Sequence, residues 1–234
     1  MHSRQKRSTP VSEHYFTNHE RAGDDERAIR QVTLAGQSVE VETAPGVFSH
    51  QHLDIGTDLL LRTVLEHENL EDRTVALDLG CGWGPIALTL GLATTEHDLT
   101  TYAVDINDRA LDLTRRNAAR LGLETVVTAA PDDVPSQVQF DLIVSNPPIR
   151  VGKTALHDLL RTWLPRLRLG GAAYLVVAKQ LGADSLHHWL ALHLNRTATN
   201  GETTGMMTSD GSVMTGTVER VAQGKGFRVL RVQR

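Results

Sequence analysis

The sequence predicts a doubly wound α/β fold in which a mostly parallel sheet is covered by helices on both faces. Five short apolar runs lack the polar alternation of half-exposed strands, and strands of this kind are buried on both faces. Segments with helical spacing separate the runs, and alternation of strands and helices is typical of parallel sheets. The five runs are residues 75–79, 101–104, 126–128, 142–144 and 172–178.

The composition is that of a folded, soluble protein. Hydrophobic residues make up 40% and charged residues 22% of the 234 positions, and no run approaches the roughly 20 apolar residues that cross a bilayer. Cys81 is the single cysteine, so we expect no internal disulfide, and residues 1–10 do not resemble a secretory signal. The net charge of −4 argues against a generic nucleic-acid coat protein. We expect a cytoplasmic protein without membrane contact.

The N-terminal part is predicted to lie outside the main domain. Residues 1–27 are polar and charge-mixed, which predicts a mobile arm in which only Tyr15 and Phe16 can dock. Apolar residues then alternate with polar ones on both sides of Gly36, which predicts a β-hairpin over residues 28–49. The alternating residues are Val32, Leu34, Val39 and Val41.

Residues 50–234 are predicted to form one domain with three recognisable helices. Helical spacing covers residues 59–65. Asn107 can cap a second helix, which ends at Gly122. A third, leucine-rich helix over 156–167 is closed by glycines 170 and 171. A stretch dense in Thr and Gly, at about 196–217, predicts an exposed, flexible insertion. Residues 218–221 and 227–232 flank a glycine turn and predict an antiparallel closing hairpin.

A glycine-rich loop follows the first central strand, and an acidic residue follows the second. Residues 78–84 read Asp-Leu-Gly-Cys-Gly-Trp-Gly, and glycines here let the backbone approach a ligand closely. Pro85 replaces the third glycine of the dinucleotide fingerprint, which disfavours pyrophosphate binding. The loop resembles the first motif of class I S-adenosylmethionine-dependent methyltransferases. Asp105, about 20 residues on, can accept both ribose hydroxyls of an adenosine.

That resemblance implies S-adenosylmethionine as the cofactor and a seven-stranded Rossmann-like methyltransferase sheet. The only cysteine lies inside the cofactor loop, where we interpret it as packing filler. This position disfavours methylation at carbon 5 of a pyrimidine, which needs a cysteine nucleophile. The cofactor-binding residues predicted from the loop and the second strand are Asp78, Gly80, Cys81, Gly82, Gly84, Asp105 and Ile106.

An Asn-Pro-Pro-Ile motif, Asn146 to Ile149, ends the fourth central strand. It resembles the fourth motif of methyltransferases that act on nitrogen attached to a planar group. An exocyclic amine is a poor nucleophile because its lone pair is delocalised into the ring. Two acceptors, the side-chain carbonyl of Asn146 and the backbone carbonyl of Pro147, can hold both N–H bonds and turn the lone pair toward the methyl group. We call this pair of acceptors the clamp. Pro147 and Pro148 fix φ and add no competing donors.

Three stretches together resemble the methyltransferase small-domain family, which includes guanine-N2 methyltransferases of ribosomal RNA. They are residues 47–57, residues 146–153 and residues 226–230. The resemblance implies that Asp54, Gly56 and Thr57 edge the cofactor pocket, to which Asn146 also contributes. Many relatives have an aromatic residue after Asn-Pro-Pro that stacks on the base, whereas this chain has Ile149 there. We therefore expect Tyr15, Phe16 or Phe48 to stack on the base instead.

Two further assignments rest on position in the chain. Relatives often have an acidic residue after the third strand to bind the adenine amine, and Asp132 is our substitute, with a plain surface loop as the alternative. Arg150, Lys153 and His157 follow the clamp motif and, with Lys225 and Arg228, predict a phosphate-contacting rim, with ordinary solvated charges as the alternative. His187, His188 and His193 lack the spacing of helical zinc ligands, so we expect no metal.

The leading prediction is an S-adenosylmethionine-dependent N-methyltransferase acting on an exocyclic amine of a nucleobase, with guanine N2 in ribosomal RNA or a ribosomal subunit as the best single target. One alternative is methylation of a protein glutamine amide, as in a peptide-release factor, although that family usually has Tyr after Asn-Pro-Pro. A second alternative is a cofactor-binding or RNA-binding accessory protein without catalysis. The presence of both Asp105 and Asn146 argues against it.

Overall fold

Seven strands form the central sheet of the structure, a computed structural model that describes residues 21–94, 99–148, 151–194, 205–209 and 211–234. The strand order is β5-β4-β3-β6-β7-β9-β8. Strands β3 to β7 are parallel, and β9 runs antiparallel to its neighbours β7 and β8. The strands are β3 (Val75–Leu79), β4 (Thr100–Val104), β5 (Val126–Ala129), β6 (Phe140–Ser145), β7 (Leu167–Ala178), β8 (Thr217–Gly224) and β9 (Phe227–Gln233).

Helices cover both faces of the sheet, as the prediction requires. One face packs against α4 and α5, and the other packs against α1 and α2. Asn107 caps α3 by accepting from the backbone N–H of Arg109 at 3.0 Å, which confirms the predicted start of that helix. The helices are α1 (Ile55–His67), α2 (Pro85–Ala93), α3 (Asp108–Arg120), α4 (Lys153–Trp163) and α5 (Ala183–His193).

The predicted N-terminal hairpin consists of β1 (Ala28–Leu34) and β2 (Gln37–Thr43), which pair antiparallel outside the main sheet. The Asn117 carboxamide of α3 pins it, accepting from the Glu42 N–H at 2.6 Å and donating to the Glu42 carbonyl at 2.9 Å. Ala22 is buried in the same cluster, and Glu26 bonds Arg109 at 3.1 Å. The arm predicted to be mobile as far as residue 27 is therefore packed at residues 22 and 26.

The leucine-rich helix ends earlier than predicted. It stops at Trp163, a single 3-10 turn containing Pro165 follows, and Leu167 already belongs to β7. Proline lacks the N–H that a continuing helix needs, which explains the early end. The two glycines predicted as a helix stop lie inside β7, where pairing with β6 shifts register. A Cβ on Gly171 would lie 2.9 Å from the Arg168 carbonyl oxygen, so this irregularity requires glycine.

The predicted insertion is also partly wrong, because two of its methionines lie in the core. Met206 and Met214 are 2% and 0% exposed and pack in the same cluster as Leu190 of α5 and Val232 of β9. The backbone N–H of Met214 donates to the carbonyl of Met206 at 2.7 Å, which closes the segment on itself. Methionine is flexible enough to fill irregular gaps, so a Thr/Gly-rich segment without aromatic residues can still contribute to a core.

The described residues form neither a membrane-spanning helix nor a cluster of metal ligands. Within those ranges, none of the helices is both long and apolar enough to span a bilayer. In the same part of the chain, no three His, Cys, Asp or Glu side chains are grouped in a way that could hold a metal ion.

Candidate active site

The predicted motifs converge at one edge of the sheet. Strands β3, β4 and β6 are parallel neighbours around the point where the strand order reverses, and all three end at this edge. The glycine loop follows β3, Asp105 follows β4, and Asn146 follows β6. In doubly wound folds, ligands bind outside the carboxyl ends of the strands at such a switch point. The topology therefore makes this edge, where the sequence motifs lie, the candidate ligand-binding site.

The glycine loop leaves space for a ligand at its first glycine. Gly80 has φ +82°, a left-handed conformation that favours glycine, and an added Cβ would meet no atom within 4 Å. The N–H groups of Gly80 and Cys81 donate to the Val104 carbonyl at 2.8 and 3.0 Å, which holds the loop against the end of β4. Gly84, at the start of α2, packs close to Thr114, because a Cβ there would lie 3.0 Å from its hydroxyl.

Asp105 links the glycine loop to the start of α3. Its Oδ2 accepts from the N–H of Gly82 at 3.0 Å, and its Oδ1 accepts from the N–H of Asn107 at 3.0 Å. Burial raises the pKa of this carboxyl, although the hydrogen bonds oppose the shift. Ile106, the next residue, is 52% exposed. A polar acceptor and an apolar side chain thus stand side by side, as recognition of a nucleoside requires.

Asp78 presents a buried acceptor that the described residues leave unsatisfied. Its Oδ2 accepts from the N–H of Ala87 at 3.0 Å, whereas its Oδ1 has no hydrogen-bond partner among the described residues. Burial, together with the charge of Asp105, raises the pKa of Asp78 to about 8. A cationic ligand group near this carboxyl would favour its ionised form. S-Adenosylmethionine carries such groups, so the donor set fits the predicted cofactor.

Cys81 does not have the environment of a nucleophile. The thiol is buried, and Thr114 donates its hydroxyl to Sγ at 3.5 Å. Burial, and then the charges of Asp105 and Asp78, raise the pKa of the thiol well above its usual value. Its neighbours in the apolar cluster include Ala87 and Ala103. The structure is consistent with the interpretation of this residue as packing filler within the loop.

The orientation of the Asn146 carboxamide follows from the two groups behind it. Its Nδ2 donates to Asp54 Oδ2 at 3.1 Å and to Thr57 Oγ1 at 2.9 Å. Asp54 Oδ2 already accepts from the N–H of Thr57, so it is the donor nitrogen of the amide that faces it. The carbonyl oxygen, Oδ1, is then directed to the opposite side. The same Asp54 oxygen caps α1 by accepting from the N–H of Thr57 at 3.0 Å.

The segment after the hairpin lies over the glycine loop. The indole N–H of Trp83 donates to the Ser49 carbonyl at 3.3 Å, and the Asn107 amide donates to the Gly46 carbonyl at 3.0 Å. Val47 faces the loop, because its Cγ1 would lie 3.7 Å from a Cβ on Gly82. Phe48 is 60% exposed on this pinned segment. Sequence reasoning did not find Trp83 or Asn107 as supports, since their partners are distant backbone carbonyls.

The structure describes only some of the remaining predicted residues. Arg228 forms an ion pair with Asp184, so it is not the free cation that the predicted phosphate rim needed. Asp132 is exposed on a 3-10 turn after β5, and Lys153 is exposed at the start of α4. Ile149, Arg150, Tyr15 and Phe16 lie outside the described residues.

Comparison with known proteins identifies the family. The model of the methyltransferase small domain matches residues 38–207, which is more than half of the chain. The chain belongs to the methyltransferase small domain family. Members of this family use S-adenosylmethionine, and the chain is an S-adenosylmethionine-dependent methyltransferase.

Relatives of this methyltransferase small domain include both uncharacterised and named proteins. It is 32% identical over 178 residues to the uncharacterised protein YbxB of Bacillus subtilis, covering 75% of this chain and 86% of that protein. It is 37% identical over 144 residues to the ribosomal RNA small subunit methyltransferase C of Serratia proteamaculans, covering 59% of this chain and 39% of the relative. The chain thus spans well under half of that longer relative.

A solved structure shares the fold. The 16S rRNA N2 G1207 methyltransferase (RsmC) of T. thermophilus, in complex with AdoMet and guanosine, superposes with a TM-score of 0.67 at 20% identity. The match covers 89% of this chain and 50% of that chain. A ribosomal protein L11 methylase from Lactobacillus delbrueckii subsp. bulgaricus is similar to a lesser degree, with a TM-score of 0.54 at 18% identity. These likenesses confirm the predicted Rossmann-like methyltransferase fold.

Proposed function

We propose that this methyltransferase transfers a methyl group to an exocyclic amine of a nucleobase, with guanine N2 in ribosomal RNA as the target. The observation that carries the proposal is the orientation of Asn146. Because Asp54 and Thr57 hold its amide nitrogen, its carbonyl oxygen is free to accept from a substrate N–H. A carboxamide held in this way is an acceptor prepared before the substrate arrives.

The chemistry needs two acceptors at the amine. In the proposed complex the Asn146 and Pro147 oxygens accept the two N–H bonds, which turns the nitrogen lone pair out of conjugation. S-Adenosylmethionine supplies a methyl group that is already activated by its positive sulfur. With the donor bound, the amine nitrogen would form its new bond to that carbon as the carbon–sulfur bond broke, and one amine proton would then leave to solvent. Positioning carries much of such an in-line displacement.

The residues proposed to hold the methyl donor surround the glycine loop. Asp105 accepts from the ribose hydroxyls, Ile106 packs against the adenine, and the backbone from Gly80 to Gly84 approaches the remainder. Asp78 offers its unsatisfied oxygen to a cationic group of the donor. Asp132 stays our proposal for the adenine amine. Asp54 and Thr57, which contact Asn146, and Gly56 between them are proposed to border this pocket.

The choice of ribosomal RNA rests on the relatives. The ribosomal RNA small subunit methyltransferases C are named for that substrate, and the T. thermophilus protein is described in complex with guanosine. Guanine N2 is an amine conjugated to a ring, which is the group that the Asn146 clamp suits. Phe48 is available to stack on the base, since it is exposed on a segment pinned to the cofactor loop.

A parallel labelling experiment tests the substrate class. The protein is given labelled S-adenosylmethionine with ribosomal subunits, naked ribosomal RNA and a peptide-release factor, and the labelled product is identified by mass spectrometry. We expect label in N2-methylguanosine. Label in a glutamine of the release factor would refute the proposed substrate.

Two substitutions separate donor binding from catalysis. Asp105→Ala is expected to weaken donor binding in calorimetry, because the ribose loses its acceptor. Asn146→Ala is expected to leave donor binding near normal and to remove turnover. Full methyl transfer by the Asn146→Ala variant would show that the clamp assignment is wrong.

A further inference from the structure

The lysines that the structure describes are concentrated at one place. Arginines outnumber them in the sequence, and the only lysines are Lys6, Lys153, Lys179 and Lys225. The three that the structure describes all lie at the edge of the sheet that carries Asn146. Lys153 begins α4, Lys179 directly follows β7, and Lys225 lies in the turn between β8 and β9. We call Lys153, Lys179 and Lys225 the lysine edge.

The three lysines of the lysine edge differ from most described arginines in having no ion-pair partner among the described residues. All three lysines are exposed, and none forms an ion pair with an acidic side chain in the described part of the chain. Most described arginines pair with a carboxylate, as Arg228 does with Asp184. In a protein with a net charge of −4, uncompensated positive charge is thus gathered beside the candidate active site, where it attracts an anion.

A chain of contacts runs from the backbone beside two of these lysines to the residues that hold Asn146. The backbone N–H of Lys179 donates to the Gly226 carbonyl at 2.8 Å, which joins the end of β7 to the β8–β9 turn. Phe227, next in the chain, packs on Gly56, because a Cβ on that glycine would lie 2.7 Å from the phenyl ring. Gly56 lies between Asp54 and Thr57, the two residues that hold Asn146. The start of β9, next to the turn that carries Lys225, therefore packs against the start of α1, where Asp54 and Thr57 hold Asn146.

Lys225 occupies a backbone conformation that does not suit lysine. Its φ is +47° and that of Gly226 is +86°, so both turn residues are left-handed. Turns of this kind favour Asn or Gly at the first position, and the left-handed conformation costs about 1 kcal/mol for a residue such as lysine. Asparagine fits this conformation better than lysine, so a change of Lys225 to asparagine should not destabilise the turn.

We infer that the lysine edge binds the sugar-phosphate backbone of the RNA whose base enters the active site. The inference rests on the proposed function, since the base and its flanking phosphates must approach the same edge of the sheet. Lysine ammonium groups contact phosphates without reading sequence, so the lysine edge positions the strand and the clamp selects the amine. Such contacts release counterions and make binding salt-dependent.

A double variant, Lys179→Gln with Lys225→Asn, tests the inference. Asparagine fits the left-handed turn, so we expect the melting temperature of the variant to be unchanged or higher. Affinity for ribosomal RNA is expected to fall about 25-fold at 0.1 M salt, and the plot of log affinity against log salt to become shallower by about 1.4. Loss of binding without loss of stability is a result that a structural role for these lysines would not produce.

The matched control is Arg30→Gln with Arg220→Gln. It removes the same charge from two exposed arginines, one on β1 and one on β8, and is expected to keep the wild-type salt slope. An unchanged slope in the lysine variant, with RNA still methylated by the wild-type protein, overturns the lysine inference alone. If the wild-type protein methylates none of the RNA substrates, the proposed function fails and the inference fails with it.

Discussion

Replacing Asp54 with alanine should separate the two tasks of this carboxylate. Its Oδ2 caps α1 through Thr57 and also accepts from the amide of Asn146 at 3.1 Å. Loss of the cap costs about 1 kcal/mol, which corresponds to a fall in melting temperature of about 2–4 °C for a domain of this size. Loss of the hydrogen bond removes the group that determines which way the carboxamide faces.

The expected effect on turnover is larger than the effect on stability. A hydrogen bond to a charged group contributes about 1.5–3 kcal/mol, and each 1.36 kcal/mol is about tenfold in rate. If this interaction serves to hold the carboxamide ready for the transition state, kcat falls by one to two powers of ten in Asp54→Ala, with donor affinity little changed. Asp54→Asn keeps an acceptor and a good cap, so it should restore most of the activity.

Steady-state kinetics and calorimetry on four proteins check this reasoning. The control is Asp58→Ala, which removes another carboxylate from the first turn of α1, one that pairs with Arg62 and does not contact Asn146. It should destabilise the protein slightly and leave kcat unchanged. A wild-type kcat in Asp54→Ala would refute the positioning role. An equal loss of kcat in Asp58→Ala would show that the effect comes from the helix and not from the amide.

Three further predictions follow from buried groups. Cys81→Ala should keep kcat within about twofold, because the raised pKa leaves no thiolate to attack a substrate; a complete loss of methyl transfer would contradict this. Asp78 has its pKa raised to about 8 when folded, so the stability it contributes is present below about pH 4 and is lost as the pH rises through 8. Urea melts across that range should show a flatter pH dependence for Asp78→Asn, whereas parallel wild-type and variant profiles would show that Asp78 does not titrate in this way. Met214→Ala should cost about 2–5 kcal/mol, whereas Met207→Ala, at a side chain 46% exposed, should change the unfolding midpoint little; equal effects would contradict the packing of Met214.

The fold was predictable because its signals are local and repeated. Buried parallel strands, a cap at Asn107 and the β8–β9 turn each leave a pattern within a few residues, and the strand–helix alternation then restricts the topology. The errors came from sequence patterns that are compatible with more than one local structure. The leucine spacing around Pro165 continues past the true end of α4, and a Thr/Gly-rich composition does not reveal that Met214 is buried.

The candidate site shows a different limit of sequence reasoning. The motif residues could be found, but the contact between Asp54 and Asn146 joins positions 92 residues apart and leaves no local pattern. The resemblance predicted Asp54 only at the edge of the cofactor pocket, and the structure shows that its local task is to cap the helix that begins at Ile55. Only the parallel topology brings that helix start to the end of β6, where the oxygen that caps the helix also orients the amide. A residue with a sufficient local explanation can therefore conceal a second role, and variants that separate the two roles are the direct way to detect it.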